Sequence, residues 1–569
     1  MTQNYFGDKR LQNIRFNHQS FLPNDKKELI SDLLSKKFDR KFIIFEKNYV
    51  LIKFLFASMR IFVNHFLIFS LFSNLLLAQV KPAGYFREAL RFSQLLPSGT
   101  ARMQGLAGAG TALGGDASHT QLNPAGVGFF RRSEFSFSPS LMFVQNQGDY
   151  LGEKRIDSYV APNISQIAMI FATPKNDGKP EEKWKANNVG ISIIRNNFFQ
   201  ENFKYKGINT QNSLTDALTD EAEGIPASDL SVPLDAIFTR QELAFQTYLI
   251  NPYDNDNKRY FTWVRDAQNQ LVAPIQQTGH VRTKGSQNQI TLTQAWNYND
   301  QLYLGLSIGV HTLRYFTRHQ YNEEVLYRPN QLKDLIRFTL TDELEMRGAG
   351  FSLATGLIIR PNDAFRLGLQ MQTFTWYTLK ESYSTEITSE LANLFINGRQ
   401  INITQAAIVP GEYTFNVRTP WRANIGLAIL AGKNGFINLD VEYVDYASAR
   451  LSGSDKALFE AENQEIHRLY RDVFNLRAGG EFRRNWLRLR AGVAWADSPF
   501  ALPQEVNRQT LMFSTGLGLR TDDMYVDWAV IYRSQKGIFA PYSLHEGTEP
   551  INKMQTLFIH SVLTLGFIF

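Results

Sequence analysis

The 569-residue sequence contains no cysteine. That excludes a disulfide framework and a thiolate metal centre, and it suits an oxidising compartment. The nine histidines show no metal-ligand spacing, and no metal or other cofactor is expected. Asp254 and Asp256 look calcium-like, but the glycine and closing glutamate of a calcium loop are missing. Excess charge is also scarce over most of the chain. The formal net charge is +6, but residues 1–58 carry 11 Lys/Arg against 6 Asp/Glu, and Arg60 adds one more. The remainder is close to neutral, so net charge gives no support to a nucleic-acid partner.

From Met59 the chain reads as a secretory signal: a basic Arg60, an apolar run from Ile61 to Leu77, and a small residue, Ala78, before Gln79. Asn64, His65 and Asn74 interrupt it as a membrane helix, and nothing like a stop-transfer sequence follows. Export with cleavage after Ala78 is expected. Residues 1–58 then read as an upstream extension of a start at Met59, or as a long leader.

Residues 98–130 differ from everything around them: SGTARMQGLAGAGTALGGDASHTQLNPAGVGFF is crowded with Gly and Ala and nearly free of charge. Its small side chains bury too little apolar area to offset the entropy of ordering, so it needs a container. A phosphate-binding glycine loop does not fit. Gly108-Ala109-Gly110 is followed by Gly114, no apolar strand precedes it, and no basic residue closes it.

After Glu134 the dominant signal is period-two alternation. Leu302, Leu304, Leu306, Ile308 and Val310 share one face, against Tyr303, Gly305, Ser307, Gly309 and His311 on the other. The pattern returns around Phe365–Met371, Ile437–Tyr443 and Leu487–Trp495. Fourteen strands are predicted, near 134–144, 160–173, 187–205, 280–298, 302–320, 342–360, 364–383, 412–430, 435–451, 470–483, 486–497, 508–520, 524–537 and 554–569. Connections alternate. Apart from a longer segment at 174–186, tight turns such as Asn299-Asp300, Pro361-Asn362-Asp363 and Thr521-Asp522-Asp523 take turns with long loops at 206–279, 321–341, 384–411, 452–469, 498–507 and 538–553. An outer-membrane barrel sorts its loops this way, with short periplasmic turns and long external loops; a soluble sandwich has no reason to. The expected fold is all-β and transmembrane: a 14-stranded antiparallel outer-membrane β-barrel (134–569) with an N-terminal plug (79–133) in its lumen.

Taken together, the glycine-rich segment and these strands resemble the FadL-type outer-membrane transporters of long-chain fatty acids and other hydrophobic compounds. The likeness rests on Gly99-Thr100-Ala101-Arg102, Gly108-Ala109-Gly110, Gly114-Gly115-Asp116-Ala117 and above all Asn123-Pro124-Ala125-Gly126. The resemblance implies a plug motif at Asn123, Pro124, Ala125 and Gly126 that matters for transport. It also implies a kinked third strand opening a lateral portal, for which the polar break at Arg195, Asn196 and Asn197 is the candidate. The alternative is that these polar residues sit at the external interface, where they cost little. External loops of the family capture ligand. Leu243, Phe245, Tyr248 and Leu249 in loop 206–279 are candidates for that role, or simply pack the loop. Lumen-facing Asp440, Glu442, Arg477, Glu481, Arg488, Arg490 and Asp527 carry mixed charge, which suits a network seating the plug better than a substrate pathway; one-sided charge would have suggested ion selectivity.

His560-Ser561 is the one suggestive catalytic pair, but neighbours on a strand point to opposite faces, so no enzyme is expected. The function implied is passive, gated diffusion of a long-chain fatty acid or similar hydrophobic molecule by a monomer embedded in outer-membrane lipid. A secretion-system shuttle built on the same barrel and plug is the alternative.

Overall fold

The computed structural model describes residues 84–569 except 176–181, 328–334, 397, 503–505 and 546. The expected signal segment, its cleavage point and residues 1–58 lie outside the described residues.

Fourteen antiparallel staves close on themselves. In chain order they are β1 (Glu134–Tyr150), β2 (Glu153–Phe171), β3 (Trp184–Phe198, continued by Glu201–Asn209), β4 (Ile275–Tyr298), β5 (Leu302–Val325) and β6 (Leu335–Ile359). Next come β7 (Phe365–Gln372, continued by Trp376–Ile396), β8 (Arg399–Ala407, Gly411–Arg418 and Arg422–Leu430) and β9 (Gly435–Asp445 and Arg450–Gly453). β10 (Asp472–Arg484), β11 (Leu487–Ala496), β12 (Thr510–Arg520), β13 (Met524–Phe539) and β14 (Asn552–Ile568) complete the wall. β14 pairs back onto β1, from Glu134↔Ile568 to Tyr150↔Asn552, so the sheet closes on itself without a free edge at this seam. All fourteen predicted strands are present. Several of them, β4 to β7 in particular, extend well beyond the predicted ends into the external loops.

The alternation sets the two faces. On β5, Leu306, Ile308 and Val310 are 41–46% exposed on the outside, while Ser307 and His311 are buried inside. Tight turns close the periplasmic end. Asn299 and Asp300 both take positive φ (54° and 53°), as a two-residue hairpin turn requires. At the other end the upper staves, helix α2 (Leu214–Ala222), helix α3 (Arg240–Gln246) and a small hairpin (Asn251–Tyr253 with Asp256–Phe261) form a cap with its own apolar core. α2 and α3 both begin in capping boxes, Ser213 with Asp216 and Thr239 with Glu242.

Inside, the chain enters as helix α1 (Tyr85–Ser93), next to helix α4 (Lys456–Leu469) of an external loop. Glu462 of α4 accepts from the backbone N–H of Gly84 (2.8 Å) and of Phe86 (2.7 Å), satisfying donors that a helix start leaves free. The chain then crosses 94–97 and coils through the glycine-rich plug as short turns at Ala101–Gln104 and His119–Leu122 and a 3-10 turn at Pro124–Phe129. The stretch before residue 98 therefore belongs to the upper lumen, and the glycine-rich part fills the barrel below it.

The wall yields to the plug at inward-facing glycines. A Cβ on Gly356 would stand 2.0 Å from Asn123 Oδ1; on Gly305, 2.2 Å from the Pro124 carbonyl carbon; on Gly368, 2.3 Å from the Thr111 oxygen. At Gly305 and Gly368 wall backbone meets plug backbone, and at Gly356 it meets the side chain of the fully buried Asn123, so there is little room to give way. Gly356→Val is expected to leave export and barrel closure intact but to unseat the plug. Limited proteolysis of the folded, heat-modifiable barrel should then cut within 98–130, where the parent resists.

Candidate functional site: a locked plug and a split wall

Asn123, Pro124 and Ala125 are fully buried between plug and wall. Asn123 Oδ1 accepts from the Ala125 N–H (3.2 Å) and so caps the 3-10 turn that Pro124 starts. Its Nδ2 donates to the Thr111 carbonyl (2.6 Å) and lies 3.4 Å from the carbonyls of Leu357 on β6 and Leu369 on β7. One amide therefore holds two plug turns and faces two staves. Gly126 packs on the buried His119 ring, with no room for a side chain.

The lumen charges surround the same plug. Arg490 lies between Glu481 and Asp527, at 2.6 Å from each. Glu481 also receives Arg102 from the plug (3.3 Å) and Arg483 (2.6 Å). Asp440 Oδ2 accepts three bonds from the plug: the N–H groups of Gly110 (2.8 Å) and Thr111 (2.9 Å), and the Thr111 hydroxyl (2.7 Å). Glu442 holds Arg477 (2.6 Å) and Arg422 (3.4 Å). Arg488 does not join. It donates to the carbonyls of Asn485 and Leu487 at the turn and forms no ion pair among the described residues. Its place at the stave end lets the long side chain turn back onto the hairpin. Within the plug, Asp116 accepts from Thr100 Oγ1 (2.9 Å) and the Ser118 N–H (2.9 Å), and lies 3.7 Å from Arg102. Burial raises its pKa, but Arg102, then His119 and the Ser118 bonds, outweigh that and bring it below the ordinary carboxylate value.

The wall is split between β2 and β3. Their ladder runs from Phe171↔Val189 to Gln166↔Ile194 and then stops, although β2 continues to Glu153. β3 stays on β4, but its register slips between Arg195↔Asn288 and Asn197↔Gln287, leaving Asn196 as an extra residue. Beyond Phe198 the stave breaks and resumes at Glu201. Side chains bridge the split. Arg195 reaches Asn163 on β2 and Asn288 on β4. Asn196 bonds Gln121 of the plug (2.6 Å) and Gln289 (2.9 Å), and Asn197 donates to the Gln94 carbonyl (2.9 Å). The three residues singled out from sequence thus lie at the point where the ladder ends.

Above the plug, cavities surround the 94–97 segment. One is walled by Leu96, Pro97, Met142, Ile531 and Phe558, together with Arg533 and His560. A second, reaching Asn197–Glu201 at the split, shares Leu96, Met142, Arg533 and Phe558 with the first. Arg533 stands over the Phe558 ring (4.0 Å), has no ion-pair partner among the described residues, and was missed from sequence. The signal was available: Arg533 shares the inward parity of Asp527 on the same stave. Of the loop residues, Leu243 and Leu249 are completely buried in the cap core, with Phe245 and Tyr248 packed against it. That overturns an exposed capture surface at Leu243 and Leu249. Their apolar period closes a core because the external loops are thick enough to contain one. His560 lines the cavity while Ser561 accepts from Trp528 Nε1 (2.9 Å) on an exposed surface, so the pair does face opposite ways.

A closed barrel with a lumen-filling plug defines an outer-membrane transport protein. Residues 276–538 match the model of the outer membrane protein transport protein family (OMPP1/FadL/TodX). Among solved structures it is similar to a Pseudomonas aeruginosa FadL homologue (12% identity, 83% of this chain and 99% of that one, TM-score 0.49). It is also similar to the Pseudomonas putida toluene transporter TodX (13% identity, 84% and 100%, TM-score 0.42). A third is the CymD monoaromatic hydrocarbon channel (13% identity, 84% and 98%, TM-score 0.44). A comparison with curated proteins found no match.

Two outcomes test the lock. Arg490→Ala leaves Glu481 and Asp527 buried without their shared cation and should cost about 3–5 kcal/mol in urea unfolding, while Arg488→Ala should stay within about 0.5 kcal/mol. A carboxyl with a lowered pKa adds stability that is fully present above its unfolded pKa and is lost as pH falls through the folded one. Protection against hydrogen exchange at 98–118, taken relative to the intrinsic rate at each pH, should therefore fall as pH drops through and below the ordinary carboxylate range, and Asp116→Asn should lower it already at neutral pH.

Proposed function

We propose that this protein carries long-chain fatty acids, or amphiphiles of the same shape, inward by diffusion through the upper lumen and out sideways between β2 and β3. The observation that carries the reading is the composition of the cavity wall: Leu96, Met142, Ile531 and Phe558 surround one guanidinium, Arg533, that no carboxylate neutralises among the described residues. Apolar walls reward chain length at about 0.8 kcal/mol per CH₂. A desolvated arginine rewards an anionic head, as does the buried His560 Nε2, which has no hydrogen-bond partner among the described residues. A neutral aromatic hydrocarbon would use the walls and leave the arginine unsatisfied. Arg195, Asn196 and Asn197 form the lateral gate in this reading, because the split there is held by side chains in place of a backbone ladder.

Affinity for the purified barrel should rise about tenfold for every two methylenes added to the chain. Arg533→Gln should weaken a fatty acid tenfold or more and leave the matching fatty alcohol unchanged. Equal loss for acid and alcohol, or none, would overturn the anionic-head assignment. Arg195→Val with Asn197→Val should block uptake by cells while the barrel stays folded and heat-modifiable. Co-purification of a secreted protein with an empty lumen would favour the shuttle alternative.

A further inference from the structure

The outer surface of β4–β7 carries an arrangement that the transport path does not use. Ile290, Val310, Phe351 and Trp376 stand side by side across these four staves, all exposed, as the upper rim of the lipid-facing belt. Four residues higher on the same face, Arg314, Arg347 and Lys380 form one cross-strand row: Arg314 lies directly opposite Arg347, and Arg347 opposite Lys380. Four residues higher again on β5, Arg318 lies opposite Arg282 of β4, with Lys284 on the same outward face between the two rows. All six side chains are exposed.

Like charges directly opposite each other on neighbouring strands, about 5 Å apart, repel and destabilise a sheet. Nearby carboxylates offset only part of this. Glu343 pairs with Arg318 (3.4 Å), Glu345 with Arg347, and Glu412 with Lys380 (2.8 Å). Arg282, Lys284 and Arg314 have no hydrogen-bond or ion-pair partner among the described residues. Four residues along a tilted stave raise the first row roughly 10 Å above the aromatic rim. That is the level of the lipid headgroups on the external side, as the long loops define it.

We propose that this patch binds the phosphate groups of a phosphorylated glycolipid in the outer leaflet. Its acyl chains would lie against the Val310–Phe351–Trp376 rim, and its phosphates would bridge the Arg314–Arg347–Lys380 row. Arginine matches phosphate oxygens through two parallel N–H donors, and a bridging anion turns the repulsive row into a site. The height of the row selects a membrane lipid over a soluble anion, because the cations sit at the edge of an apolar surface only a lipid covers.

The test uses the full barrel, wild type and the triple variant Arg314→Gln, Arg347→Gln, Lys380→Gln, none of which lines the lumen. Native mass spectrometry and fluorescence titration should follow binding of bis-phosphorylated lipid A, the same lipid with its phosphates removed, and inorganic phosphate. The expected result is retention of the phosphorylated lipid by the wild type, at least tenfold weaker binding of the phosphate-free lipid, and a similar loss in the triple variant. Melting in lipid-free detergent should be no lower in the variant, since the repulsion is relieved there, while added lipid A should stabilise only the wild type. Equal binding of the phosphate-free lipid, full retention by the variant, saturation by inorganic phosphate at the lipid's own concentration, or a lowered melting temperature in detergent would each overturn the proposal.

Discussion

Everything in this molecule answers to one constraint: in hydrocarbon, a backbone N–H or C=O without a partner costs several kcal/mol. The staves meet it by closing, with β14 returning to β1. Closure then forces the alternation, because each stave must show lipid on one face and the lumen on the other. It also forces the placement of the plug. A segment so poor in apolar bulk could not order itself on a surface, but inside the cylinder its backbone finds Asp440, Asn188 and Ser514 as partners.

The same constraint gives meaning to the place where the ladder between β2 and β3 stops. From Ile194 upward, β2 and β3 no longer bond through their backbones, and polar side chains of Arg195, Tyr159 and Asp157 span the interval. A wall built from backbone ladders opens only by unfolding, whereas a wall built from a few side-chain bonds opens by rotamer changes. The bulge at Asn196 causes the change from one to the other, since an extra residue turns the stave away from β2 while keeping it on β4.

Strands and turns were legible in the sequence because period-two alternation and turn chemistry are local signals, and a lipid environment leaves no tertiary contact to override them. The polar break at Arg195–Asn197 was legible for the same reason: those residue types conflict with a flat lipid-facing stave. Two kinds of feature were not. Leu243 and Leu249 read as exposed because nothing in an isolated loop shows how many others fold over it; the cap core draws on β3–β8 and β13 as well as the loop itself. Arg488 shares the parity of Arg490, but parity sets a face and not a height, and near the turn an arginine can fold back onto backbone carbonyls. The fit of strand glycines such as Gly356 and Gly368 against the plug is a long-range property without a local trace.

The energetics of the two boundaries around the upper cavity argue for the direction in which a ligand leaves. Below it, displacing the plug means breaking the three bonds to Asp440, the Arg102–Glu481 pair and the Asn123 clasp, all buried. Several of these involve charge, at about 1.5–3 kcal/mol each, so the lock is worth on the order of 10 kcal/mol. Beside it, the proposed exit is held by Arg195 to Asn163, Asn197 to the Gln94 carbonyl, Tyr159 to the Gln200 carbonyl and the Lys204 N–H to Asp157, exposed or part-buried bonds at about 1 kcal/mol each. The second bond ties the gate to the 94–97 segment that walls the cavity. A ligand pressing on Leu96 therefore acts on the weaker of the two boundaries, and the plug can stay seated while the side wall moves.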